Sequence, residues 1–175
     1  MNKISLAAAV AFATAMMTPA AQAADGTVEF VGSVTDVTCT VTDGSKNLSV
    51  TLPAVSKATL NQAGARAGRT PFTIELIDCS SSDGKVSTYF EADTNIDANG
   101  HLIPDAGGAE NVNLVLFNDE HGEIKLGTDA ADQNSQSVTV IGGVASLNYF
   151  AEYVATDAAE AGAVSSRVRF TIAYE

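Results

Sequence analysis

The chain has 175 residues, 46% hydrophobic, 17% charged and 6% aromatic, with 9 Lys+Arg against 21 Asp+Glu and a formal net charge of -12. Such a composition fits one modest globular domain, too apolar for a disordered chain and without the glycine period of collagen. The acidity argues against nucleic acid or anionic lipid as a partner, because phosphate contacts need clustered Lys and Arg, and Arg167 with Arg169 is too small a cluster.

Residues 1–23 read as a secretory signal. Lys3 supplies the positive start, Ile4 to Met17 is a small and apolar run, Pro19 breaks it, and Ala21-Gln22-Ala23 has the shape of a cleavage site. The run is too short to span a bilayer comfortably, which weighs against an anchor. Cleavage after Ala23 leaves residues 24–175 as one exported domain, and the loss of Lys3 makes it one charge more acidic.

Export permits a disulfide. Cys39 and Cys79 are the only cysteines, so a single intramolecular pairing exists, with two buried thiols as the other reading. Their spacing suits neither a zinc knuckle nor a redox CxxC motif.

The mature chain alternates with period two. Thr27 to Val37 carries Val28, Phe30, Gly32 and Val34 on one face. Leu48 to Leu52 alternates and stops at Pro53. Phe72 to Leu76, Val86 to Ala92, Val112 to Phe117, Ser146 to Val154 and Arg167 to Tyr174 are further strand candidates. Turn clusters separate them at Asp43–Ser45, Ser80–Gly84, Asn95–Gly100, Asp105–Gly108, Glu120–Gly122 and Ile141–Gly143. Lys57 to Ala67 reads as a loop in preference to a short helix, and Ala155 to Ala163 as an exposed connection. Short alternating strands punctuated this way predict an all-β sandwich.

No catalytic, metal or cofactor site emerges. Asp93-x-Asn95-x-Asp97-x-Asn99-Gly100 resembles a calcium loop only briefly: from Asp93 the sixth position is Ala98, and from Asn95 the closing Glu is replaced by Ala106. It reads as a polar hairpin loop. His101 and His121 sit in polar turns and read as solvated. There is no Gly-x-Ser-x-Gly elbow, and neither cysteine has a histidine partner in the pattern.

Three stretches together resemble fimbrial subunits of the chaperone–usher class, closest to type 1 major pilins. The first is Gly26-Thr-Val-Glu-Phe-Val-Gly-Ser-Val34 followed by Cys39. The second is Pro71 to Cys79. The third is Asn148 to Thr156 together with Val168 to Glu175, including the penultimate Tyr174. The resemblance implies an incomplete immunoglobulin-like β-sandwich that lacks its final strand. Residues 24–34 are then an N-terminal donor-strand extension, with Val28, Phe30, Gly32 and Val34 as its inserting face. Val168, Phe170, Ile172, Tyr174 and Glu175 border the acceptor groove and meet the chaperone.

By the same resemblance the partners are a periplasmic chaperone, an outer-membrane usher and sister pilin subunits joined head-to-tail. The product is a cell-surface fimbrium supporting adhesion, reached through the periplasm. Strand donation of this kind is a known mode of β-addition. Alternate apolar residues suit it, and Gly32 fits where a groove is too shallow for a side chain. The rival for Thr27–Val34 is an ordinary first strand of a complete sandwich. The rival for the whole protein is a self-contained secreted sandwich that binds a ligand or sugar.

Overall fold

The computed structural model describes Gly26, Val28, Glu29, Gly32 and residues 34–175. The signal reading of residues 1–23, and Phe30 of the extension, lie outside the described residues. Contacts divide the chain into Met1–Ser33 and Val34–Glu175, and the second unit carries the fold.

Seven strands are formed among the described residues: β1 Thr40–Val41, β2 Arg66–Ile77, β3 Lys85–Phe90, β4 Val112–Asn118, β5 Ser137–Thr139, β6 Ala145–Ala155 and β7 Phe170–Tyr174. They make two antiparallel sheets, ordered β1-β2-β6-β4 and β5-β3-β7. The inward residues of each strand meet between the sheets, as period two requires. Ile74 and Leu76 of β2, Val86 and Phe90 of β3, and Leu147 and Tyr149 of β6 are all within 1% of complete burial. Tyr149 stacks edge-on against Phe90, centroids 5.2 Å apart, and joins the sheets. Its hydroxyl lies 3.1 Å from Ser135 Oγ, so the burial leaves no orphaned polar atom.

Cys39 and Cys79 form a disulfide. It staples the chain entering β1 to the chain leaving β2. Tyr174 reaches the same place from the other sheet: Cys39 N–H donates to its hydroxyl at 3.1 Å, and that hydroxyl lies 3.3 Å from the Cys39 carbonyl.

Several elements depart from the sequence expectation. The alternating run Leu48–Leu52 forms no strand. β7 begins at Phe170, not Arg167, and Thr27–Val37 contributes no strand among the described residues. β2 starts before Pro71, at Arg66. β1 covers β2 only at Leu76 and Ile77, so Pro71 stands on an uncovered edge, where a missing N–H is tolerated. A register shift between Ala67 and Thr70 accommodates the bend, with Gly68 at φ +75°.

The loop expected over 57–67 contains a 3-10 turn, Lys57–Leu60, before β2 begins. The connection expected to be exposed over 155–163 buries Ala159, which packs with Leu60, Val112 and Ala155 in a small second core. Asp43–Lys46 winds into one helical turn, and β5 is too short to leave an alternating signature.

Candidate functional site

A cleft of about 640 Å³ opens between the sheets on one side of the sandwich. Its floor is core: Phe72 and Ile74 of β2, Phe90 of β3, Leu114 and Leu116 of β4. One flank is Leu48–Leu52, with Leu48, Val50 and Leu52 lining the cleft. The opposite flank is Ser166–Phe170, where Val168 and Phe170 turn toward it.

The first flank stands outside the sheet ladders, and the second joins one only at its end, where Arg169 O accepts Glu91 N–H at 2.9 Å and Phe170 pairs with Phe90. Among the described residues, Leu48–Leu52 contributes no backbone–backbone hydrogen bond. Val50 and Leu52 are half-buried and Leu48 is exposed. This is an apolar rail whose backbone has no ladder partner among the described residues, an arrangement sheets seldom leave open.

Discrete ties, not a ladder, hold the second flank as far as Val168. Asp105 N–H donates to Ser165 O and Ala109 N–H to Ala163 O, each at 2.7 Å. Ser166 Oγ donates to Ile103 O at 3.0 Å, and Asn95 Nδ2 to Arg167 O at 2.8 Å. Gly108 and Gly162 let the two backbones approach closely; a Cβ on either would overlap the facing main chain. The loop Asn95–Ala109 therefore sets where this flank lies.

The rim is charged. Arg169 Nε donates to Glu91 at 2.9 Å, and Arg169 also lies 3.8 Å from Asp93. Arg167 meets Asp105 at 3.6 Å, and Lys46 meets Asp43 at 2.8 Å. The Thr171 hydroxyl, then the Arg169 guanidinium, hold the Glu91 carboxyl below its ordinary range. These pairs are exposed, so each contributes little stability.

Among the residues singled out from sequence, Val168 and Phe170 line the cleft. Ile172 and Tyr174 continue β7 and pack against the main core. Glu175 is exposed, its N–H donating to Lys85 O at 2.9 Å. Val28 and Val34 are 75% and 103% exposed, and a Cβ on Gly32 would meet no atom within 4 Å. The flank Leu48–Leu52 was not foreseen as part of the site. Its signal was present, since the alternation stopping at Pro53 marks an apolar edge whether or not a partner strand exists.

His101 corrects the expectation of a solvated side chain. It is 9% exposed, and its Nε2 donates to Glu123 Oε1 at 2.8 Å, while Arg66 binds the other Glu123 oxygen at 2.8 Å. Asp97 closes the calcium-like loop on itself. One carboxylate oxygen accepts the N–H groups of Asn99 and His101, and the other accepts Asn113 Nδ2.

Burial opposes ionisation of Asp97, but the two N–H donors, nearby His101 and Asn113 outweigh it and hold the carboxyl below its usual value of 3.8. A depressed carboxylate stabilises the fold above the unfolded-chain value, and the contribution is lost as pH falls through the folded one. Asp97→Asn is therefore expected to lower the melting temperature at neutral pH. It should also flatten the loss of stability below about pH 4, read from thermal melts across that range. Equal pH slopes for the two chains would contradict the assignment.

Residues 52–175 match the family of the Type-1 fimbrial protein, A (FimA). The chain is 50% identical over 163 residues to the major fimbrial subunit SMF-1 of Stenotrophomonas maltophilia, covering 89% of this chain and 95% of that protein. It is 44% identical over 158 residues to the F17 fimbrial protein of Escherichia coli, covering 86% and 88%. Among solved structures, the Burkholderia pseudomallei antigen and type I fimbria protein superposes with a TM-score of 0.55 at 28% identity, over 80% of this chain and 91% of that one. The P pilus rod subunit PapA superposes at 0.62 over 78% and 99%, and at 19% identity that likeness is one of fold. These relatives do not favour the rival of a self-contained ligand- or sugar-binding sandwich. Two sheets, a stapling disulfide, an apolar cleft and relatives that are fimbrial subunits along nearly their whole length establish that the chain belongs to the type-1 fimbrial protein family, as an immunoglobulin-like structural subunit of a fimbria.

Proposed function

We propose that the subunit polymerises by donor-strand exchange, with residues 24–34 of one copy filling the cleft of the next. The observation that carries this reading is the Leu48–Leu52 flank, apolar and without backbone partners among the described residues, facing Val168 and Phe170 across the cleft. One inserted strand satisfies such a site twice, giving main-chain bonds at its edges and side chains to the floor. Full burial of Val28, Phe30 and Val34 yields about 1.5–3 kcal/mol each. Each new main-chain bond adds about 0.5–1.5 kcal/mol net. The contact is head-to-tail and does not close, as a filament requires.

The same reading assigns the early partners. A cleft of this kind promotes aggregation until filled, so a periplasmic chaperone occupies it first and an outer-membrane usher receives the complex. β7, with Val168, Phe170, Ile172, Tyr174 and the terminal Glu175, is the chaperone-facing border. Residues 1–23 direct export and are removed. The protein carries out no catalysis of its own.

The test is expression of the mature chain with and without a cognate chaperone. A soluble one-to-one complex is expected in the first case, and aggregation or proteolysis in the second. A stable monomer recovered alone would overturn the reading. Within the donor segment, Gly32→Asn is expected to slow or block fibre growth, followed by electron microscopy, because the new side chain collides with the cleft floor. Normal growth would mean that Gly32 faces elsewhere.

A further inference from the structure

On the strand-exchange reading, Val34 is the last side chain given to the neighbour, and the chain is back on its own body within two residues. Asp36 O accepts the Ser80 hydroxyl at 2.7 Å, Ser80 N–H donates to Thr38 O at 2.9 Å, and Val37 is buried against Gly84. Two extended residues span at most about 7 Å. The end of the neighbour's cleft therefore comes to rest against whatever surface surrounds Asp36–Cys39.

That surface is apolar. Leu76 pairs with Ala145 and both point into the core, so Ile77 and Val144, one step further on, lie side by side on the outer face. Ile77 also faces Thr40, the residue after Cys39. Cys79 N–H donates to Gly143 O at 3.0 Å, which holds the turn Ile141–Val144 beside the disulfide. Gly142 and Gly143 take φ of +61° and +80°, as a two-residue hairpin turn requires, and Ile141 and Val144 exchange main-chain bonds across it at 3.0 and 3.2 Å. Ile77, Ile141 and Val144 are 38%, 73% and 50% exposed, and none of them lines the cleft. A contiguous exposed apolar patch marks an interaction surface more often than scattered single residues do.

The receiving surface follows from strand direction. Every ladder among the described strands is antiparallel, the slightly more stable sense. A donor antiparallel to Ser166–Phe170 leaves the cleft at its Ser166 end. There Ser166 Oγ donates to the carbonyl of Ile103, whose side chain is 40% exposed. Of the large apolar side chains exposed among the described residues, Val28 and Val34 belong to the donor segment and Leu48 to the cleft flank. The remaining four are Ile77, Ile141, Val144 and Ile103.

We infer, resting on the strand-exchange reading, that Ile77, Ile141 and Val144 form a docking patch for a second copy of this chain, the copy that holds residues 24–34, and that the patch seats on its Ile103. The contact is heterologous, one patch meeting a different one on the next body, and so it repeats along a filament. It buries apolar area that strand donation alone leaves exposed, and it replaces a free swivel at Thr35 with a fixed angle between consecutive bodies.

The test reads the dissociation rate of assembled fibres in denaturant. Ile141→Glu and Ile103→Glu are each expected to speed dissociation about tenfold. Both in one chain should dissociate fastest, since like charges then meet at every joint, whereas Ile141→Lys with Ile103→Glu should return the rate toward that of the unaltered chain. Both positions are exposed, and uptake of a synthetic peptide of residues 24–36 during refolding checks the fold of each variant. The peptide brings no body with it, so Ile103→Glu should take it up at the ordinary rate. Unaltered fibre dissociation in the single variants overturns the inference, whether the change appears instead in the yield of the chaperone complex or in side-by-side bundling of fibres. Equal rates for the Glu–Glu and Lys–Glu pairs, or slowed peptide uptake by Ile103→Glu, also overturn it, and all of these leave strand exchange standing. Failure of the peptide to enter the unaltered chain overturns strand exchange itself, and the docking patch with it.

Discussion

A mature chain lacking residues 24–33 is expected to form no fibres while still forming a soluble complex with its chaperone. The truncation spares the fold. Among the described residues, the earliest in the buried core is Val37, 6% exposed, and the first strand begins at Thr40. What is lost is the segment carrying Val28, Phe30 and Gly32, which on the proposed reading belongs to the neighbour's sandwich. The cleft between Leu48–Leu52 and Ser166–Phe170 remains, so the truncated chain can still receive a strand and cap a growing end. Mixing it with full-length subunits should shorten fibres in proportion to its share, counted by electron microscopy. Fibres of ordinary length from the truncated chain alone would end the proposal.

Replacing both cysteines, Cys39→Ser with Cys79→Ser, is expected to lower unfolding stability by about 4 kcal/mol on the chain-entropy account of a closed loop of this size. The pair spans 40 residues of sequence. That loss is large against the ~5–15 kcal/mol that holds a typical domain together. β1 is only two residues long and cannot by itself hold the entering chain on β2. Val37 would lose its anchor beside Gly84, where its methyl groups already fill the space a Cβ would need. The measurement is the urea midpoint of the subunit with a donor peptide bound, so that the cleft is filled in both chains. Coincident transitions would show that the disulfide adds nothing to the native state.

The sandwich was legible wherever a strand is buried on one face and flanked by turns. Val86, Thr88 and Phe90 of β3, and Leu147, Tyr149 and Ala151 of β6, alternate in sequence as they do in burial. The cysteine pairing was equally open, because two cysteines allow one bond. Alternation misled at Leu48–Leu52, since period two reports an apolar edge and says nothing about whether a partner strand exists.

The sequence also placed the start of β7 too early, because Arg167–Arg169 alternate like a strand, but the Asn95 side chain takes the Arg167 carbonyl and only Arg169 O, accepting Glu91 N–H, reaches β3. His101 was misread because its partners, Glu123 and Arg66, lie far away in sequence. The charged rim was half visible. Arg167 and Arg169 stood out as the sole basic pair, but only the fold brings Lys46 to the same opening.

The staple at Cys39 also bears on how such a filament carries tension. On the strand-exchange proposal, a pull on the leading segment meets the body over Asp36–Cys39, first at the Ser80 hydrogen bonds to Asp36 and Thr38 and then at the disulfide. There the covalent link to Cys79 passes it to the far end of β2, and the Tyr174 hydroxyl passes part of it to β7 in the other sheet. Stress is shared across both layers at its point of entry, so a tug cannot peel the short β1 away residue by residue. On that same proposal, a thread built from such units should keep each body folded under load, because the staple holds where the pull enters.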